Sequence, residues 1–72
     1  MPYRVIDGRD MQPPEPLELT LTALDTLPAD QEVQVLLYCK PYPLFDILRR
    51  NGYNWTEDVQ DDGTHDIRIR KA

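Results

Sequence analysis

The sequence predicts a small α+β domain, a two-layer α/β sandwich in which a mixed four-stranded sheet carries two helices on one face in the order βαβαββ. Three observations predict it. Apolar stripes at the helical period follow Pro13-Pro14-Glu15-Pro16 and Pro41-Tyr42-Pro43. Short β-rich runs precede and separate those stripes. Finally, Asp61-Asp62-Gly63 marks a hairpin between two more such runs.

The first strand covers residues 3–6, β-branched and closed by a turn at Asp7-Gly8. The first helix starts on the prolines, because first-turn amides have no intrahelical acceptor and proline loses nothing there. Glu15 complements the positive end of the helix dipole. Leu17, Leu21 and Leu24 fall at i, i+4 and i+7, with Thr20 and Leu27 completing the stripe before Pro28 stops it. The second strand, residues 33–39, sets Val33, Val35, Leu37 and Cys39 on one face and Gln34, Leu36 and Tyr38 on the other. Apolar groups on both faces make it a central strand.

Leu44, Ile47 and Leu48 form the second helical stripe, which ends in Arg49, Arg50 and Gly52 as a helix C-terminus favours. The third and fourth strands cover residues 53–59 and 66–70. A two-residue turn at Asp62-Gly63 would set Ile67 against Asp58 and Ile69 against Thr56, mixing polar and apolar faces. A three-residue loop with Gly63 as the bulge instead pairs Trp55 with Ile69 and Val59 with His65, leaving Thr56 and Asp58 opposite Arg68 and Asp66. The second register is expected. The exposed sheet face would then carry Arg4, Ile6, Gln34, Leu36, Tyr38, Thr56, Arg68 and Arg70.

Composition bounds the function. The 72 residues suffice for one domain over 1–72, whose core is thin because a chain this short buries only roughly 60% of its unfolded surface. A monomer is expected. With 40% hydrophobic and 29% charged residues, the chain has the balance of a globular protein. The net charge of -5 opposes broad attraction to nucleic acid or anionic membrane. One cysteine allows no internal disulfide, and one histidine allows no zinc site of several Cys and His ligands. No apolar run suits a leader or a membrane span, and a reducing, cytoplasmic location is expected.

The segment Ile6-Asp7-Gly8-Arg9-Asp10-Met11-Gln12-Pro13-Pro14-Glu15-Pro16 resembles the opening of the TusA/SirA-like family. There, Leu-Asp-x-x-Gly-Leu-x-Cys-Pro-x-Pro begins the first helix. Pro41-Tyr42-Pro43-Leu44, Arg49-Arg50-Asn51-Gly52-Tyr53 and Ile67-Arg68-Ile69-Arg70 further resemble an uncharacterised bacterial branch that reads Pro-Pro-Glu-Pro in place of the cysteine motif. The resemblance implies the fold described above and, in the carriers, a cysteine that accepts sulfur as a persulfide near a helix N-terminus. Pro13 stands in that cysteine's place and cannot hold sulfur. Asp10 replaces the family's glycine. The branch also implies a context of hemerythrin-like domains and nitrogen-oxide respiration.

Each candidate residue has a structural reading beside the functional one. Cys39 is read as a small inward-facing core residue, with a displaced sulfur acceptor as the alternative. His65 is read as part of an acidic, solvated hairpin tip, against a metal ligand or a His-carboxylate pair. Arg68, Arg70 and Lys71 with Tyr38 are read as ordinary outward alternation on a final strand, with RNA or anion binding as the alternative. Asp7, Arg9 and Asp10 read as turn chemistry with an Asp-Arg pair, against an anion pocket at the helix start. The combined expectation is a non-enzymatic interaction or regulatory module without metal or cofactor, whose partner is another protein. A sulfur carrier acting through Cys39 is the first alternative, and RNA or anion binding on the open face the second.

Overall fold

The computed structural model describes residues 3–71, so Met1, Pro2 and Ala72 of the expected domain lie outside the described residues. Its elements are β1 (Arg4–Asp7), α1 (Glu15–Asp25), β2 (Glu32–Leu37), α2 (Tyr42–Arg50), β3 (Tyr53–Val59) and β4 (His65–Lys71). The sheet order is β1-β2-β4-β3, with β1 parallel to β2 and the other pairs antiparallel. Helix α1 is the crossover that a parallel pair requires. The βαβαββ order and mixed sheet expected from the sequence are present.

Two central strands supply the middle of the core. Val33 and Val35 of β2 face Ile69 and Ile67 of β4, and all four are fully buried. Ala23 and Leu24 from α1 and Leu44, Phe45 and Leu48 from α2 cover them. The α1 stripe sits as its spacing predicts. Helix α1 nevertheless ends at Asp25, short of Pro28, because the residue before a proline is pushed out of the helical region.

The β3–β4 ladder has the expected register, with Trp55 opposite Ile69 and Val59 opposite His65. The turn closes through Gln60 N–H to the Thr64 carbonyl at 2.8 Å and Gly63 N–H to the Gln60 carbonyl at 3.0 Å. Gly63 takes φ +88°, the left-handed conformation that a three-residue loop needs at its last position.

Strand β1 corrects one expectation. Arg4 pairs with Val33 and Ile6 with Val35, so Arg4 and Ile6 belong to the helix-covered side of the sheet and Ile6 is core. Val5, 55% exposed, takes the open face instead. In a four-residue strand with adjacent Val5 and Ile6, alternation fits either parity equally well. The pairing with β2 decides.

Candidate functional site

The C-terminal end of β1, the C-terminal end of β2 and the starts of both helices converge on one side of the molecule. Gly8 is buried at the centre of this junction, its N–H bonded to the Leu36 carbonyl at 2.8 Å. A Cβ at Gly8 would stand 2.7 Å from Leu37 Cδ2 and 3.0 Å from Pro16 Cβ. Glycine lets the start of α1 sit against the end of β2. Asp7 and Arg9 close the preceding turn: the Arg9 backbone N–H and Nε donate to Asp7 Oδ1 at 3.2 and 2.9 Å, and Nη2 donates to Oδ2 at 2.8 Å. Those bonds lower the Asp7 pKa to about 2. The carboxylate is thus committed to the turn.

Between the two helix starts lies a cleft of about 290 Å³. Pro13, Pro14, Pro16, Leu17 and Thr20 form one wall, and Leu37, Cys39, Lys40, Pro41, Pro43 and Leu44 the other. The surface is almost wholly apolar because proline dominates both rims. Proline also removes backbone donors. In α1 the Glu15 N–H bonds to Gln12, Pro16 has none, and the Glu18 N–H bonds to Pro14. In α2 the Tyr42 N–H bonds to Lys40, Pro43 has none, and the Phe45 N–H bonds to Pro41. Only Leu17 and Leu44 retain first-turn amides for an outside acceptor, too few for the multi-donor cradle that anions use at helix starts. The cleft suits a neutral, apolar group.

Cys39 does not occupy the core position expected for it. Strand β2 ends at Leu37, two residues earlier than the sequence suggests, and Cys39 is exposed on the cleft wall. The ladder ends because its partners do: β4 begins at His65, opposite Leu37, and the last bond from the β1 side runs from the Gly8 N–H to the Leu36 carbonyl. Pro13 and Cys39 therefore line one cleft from opposite walls. The helix-start residues Pro13, Pro14 and Pro16 are brought together there, while Glu15 points to solvent.

A polar cluster borders the cleft. Lys40 Nζ lies 3.2 Å from Glu57 Oε1, and His65 Nδ1 donates to Glu57 Oε2 at 2.8 Å. Burial favours the neutral acid at Glu57, but the bonds from His65 and Lys40 prevail and hold its pKa below the usual value. The Lys40 ammonium also lies 5.9 Å from the Tyr42 ring centroid and 6.0 Å from that of Phe45, which stacks on Trp55 at 5.2 Å. This corrects the reading of His65 as part of a solvated tip. The residue begins β4 and faces the helix side, where it is mostly buried against Glu57. The signal was present in the register: with Val59 opposite His65, Glu57 is its diagonal neighbour on the same face.

On the open face the arginines lie against carboxylates of the same sheet. Arg68 lies 3.7 Å from Glu32 and 3.5 Å from Asp66, and Arg70 lies 3.9 Å from Glu32. Gln34 Nε2 donates to both Asp66 oxygens at 3.1 and 3.2 Å. Arg4 belongs to the other side, and Tyr38, 57% exposed, lies beyond the end of β2. The four residues do not form one surface. No helix among the described residues is long and apolar enough to cross a membrane.

Comparison with known proteins agrees with this architecture. A SirA-like protein from Desulfitobacterium hafniense superposes with a TM-score of 0.74 at 20% identity, over 92% of this chain and 93% of that one. The likeness extends to the fold, a SirA/TusA-like two-layer sandwich. No curated protein sequence matches the chain. Residues 5–71 match the family described as uncharacterized conserved protein DUF2249, and the chain belongs to that family.

Proposed function

We propose that this chain is a non-enzymatic interaction or regulatory module of the SirA/TusA-like fold, one that keeps the helix-start architecture of the sulfur carriers without their sulfur-accepting cysteine. The observation that carries this reading is the cleft itself. Pro13 stands on its rim in the place the resemblance gives to the reactive cysteine, and prolines on both helix starts withdraw the donors that would steady an anionic sulfur. What is left is an apolar recess, fit to receive a side chain of another protein. Hemerythrin-like domains and proteins of nitrogen-oxide metabolism, the context implied by the family resemblance, are the first partners to try.

Incubation with a persulfide-loaded cysteine desulfurase, followed by intact-mass measurement, tests it. No gain of sulfur is expected. A one-sulfur gain that disappears in Cys39→Ser would overturn the reading and establish the second one. In that second reading the Cys39 thiolate attacks the outer sulfur of the donor persulfide, takes it, and releases the donor's cysteine thiolate. It is favoured by one observation, the exposure of Cys39 on the wall shared with Pro13.

A further inference from the structure

We infer that the free edge of β1 is a docking site for an extended segment of another protein, which joins the sheet as a fifth strand and sets an apolar side chain into the groove beside that edge. This rests on the reading of the chain as an interaction module and names a surface and the partner's conformation. The order β1-β2-β4-β3 leaves β1 with a neighbour on one side only. The Gly8 N–H bonds to the Leu36 carbonyl, and in the same register the strand's alternation turns the backbone groups of Arg4 and Ile6 toward β2 as well. Those of Val5 and Asp7 point outward, and no turn or loop among the described residues accepts their N–H groups. A groove of about 260 Å³ runs between this edge and α1. All four residues of β1 line it although their side chains alternate between two faces, so one wall is the strand's own backbone edge. Met11, Leu19 and Ala23 supply the apolar part of the other wall. Leu19 is 41% exposed on the helix side and Val5 55% on the open face, so bare apolar surface flanks the edge on both sides.

The other edge of the sheet is closed to such pairing. Strand β3 turns Glu57 to the helix side, where His65 and Lys40 hold it, and a strand laid over that edge would have to strip water from the charge. Strand β1 has no proline and no buried charge. A second copy of the chain fits poorly there. With outward groups paired antiparallel, the register centred on Val5 brings each copy's Arg4 to the other's apolar groove, and that centred on Ile6 sets Val5 against Asp7. The register centred on Asp7 sets two carboxylates face to face. A foreign strand has no such conflict. Run antiparallel to β1, its residue opposite Val5 is β-branched, and the residue before it, opposite Ile6, is a large apolar one that enters the groove beside Met11 and Leu19. The residue after it, opposite Arg4, is an acid for a guanidinium that has no ion pair among the described residues.

The test is an NMR titration of the ¹⁵N-labelled chain with the end-capped peptide Ser-Thr-Leu-Val-Glu-Thr-Ser and two N-methylated forms of it. Methylating the valine and first threonine nitrogens removes the donors aimed at the Val5 and Asp7 carbonyls, whereas methylating leucine and glutamate removes donors that point away. All three peptides carry the same side chains. The parent and the second form are expected to shift the amides of Val5, Asp7 and Leu19 and to slow hydrogen exchange at Val5 and Asp7. The first form should bind about tenfold more weakly. Val5→Pro, which gives up only an outward N–H, should lose binding about tenfold, and Val5→Thr should keep it, with folding checked by circular dichroism. Should Val5→Pro fail to fold, the methylated pair on the unaltered chain still decides. Equal binding of the two methylated forms, shifts confined to the cleft walls, or no binding at about 1 mM peptide would each overturn the proposal. Failure here is distinguishable from failure of the parent reading. Sulfur uptake by Cys39 would remove the interaction module and leave the peptide result standing, whereas absent peptide binding without sulfur uptake removes only the strand docking.

Discussion

On the open face of the sheet, Arg68 and Arg70 lie against Glu32 and Asp66, and Gln34 closes on Asp66. Around the cleft, Pro13, Pro14, Leu17 and Pro43 line an apolar recess, and the one charged residue on its wall, Lys40, is held by Glu57. Both regions contain residues that look functional in the sequence. The difference is whether the fold has already satisfied them. A charge ladder between neighbouring strands neutralises itself and contributes little beyond solubility, whereas apolar surface left open between two helix starts gains only when something covers it.

The contrast can be broken most severely at the floor of the cleft. Leu44 is 2% exposed and belongs to both the core and the recess, so Leu44→Ala should destabilise by about 2–5 kcal/mol in chemical denaturation. Leu36→Ala, half-buried on the open face, should cost about 1 kcal/mol. Equal losses would mean that the open face is packed against something as firmly as the helix side is.

Gly8→Ala comes next. The added methyl meets the movable end of Leu37 and the rigid Pro16 ring, so a loss of about 1–3 kcal/mol is expected, with amide shifts concentrated on the cleft walls. A neutral result would mean that α1 can move away from β2 freely.

The polar cluster gives a smaller effect with a defined sign. Glu57 has a lowered pKa in the folded state, so its contribution is complete above its ordinary value of 4.5 and is lost as pH falls through the lower folded value. Glu57→Gln should cost about 1 kcal/mol at neutral pH and flatten stability against pH below 4.5. Arg68→Ala on the open face should cost about 0–1 kcal/mol. Asp7 provides the finest measurement: its NMR titration midpoint should lie at about 2 and return toward 3.8 in Arg9→Ala. Its stabilising effect is complete above pH 3.8 and disappears between 3.8 and about 2.

Much of this architecture is readable along the chain. The α1 stripe, the proline helix starts, the central position of β2 and the β3–β4 register each follow from local pattern, because period and turn chemistry act over a few residues. The register even contains the Glu57–His65 contact as a diagonal pair. Other features are not local. The parity of β1 depends on which residues β2 presents to it, and the end of β2 depends on where β4 begins, at His65 opposite Leu37. Arg68 and Arg70 look free until Glu32 arrives from another strand.

Sequence alone determined that prolines start both helices and that no reactive atom stands at position 13. Tertiary structure decided that those two starts face each other across one recess, with Cys39 exposed on its wall and Lys40 drawn aside by Glu57. The physical reason is that a helix start is specified within a single turn. A cleft, by contrast, is the space between segments some 25 residues apart, and its position depends on how the crossover packs α1 against the sheet.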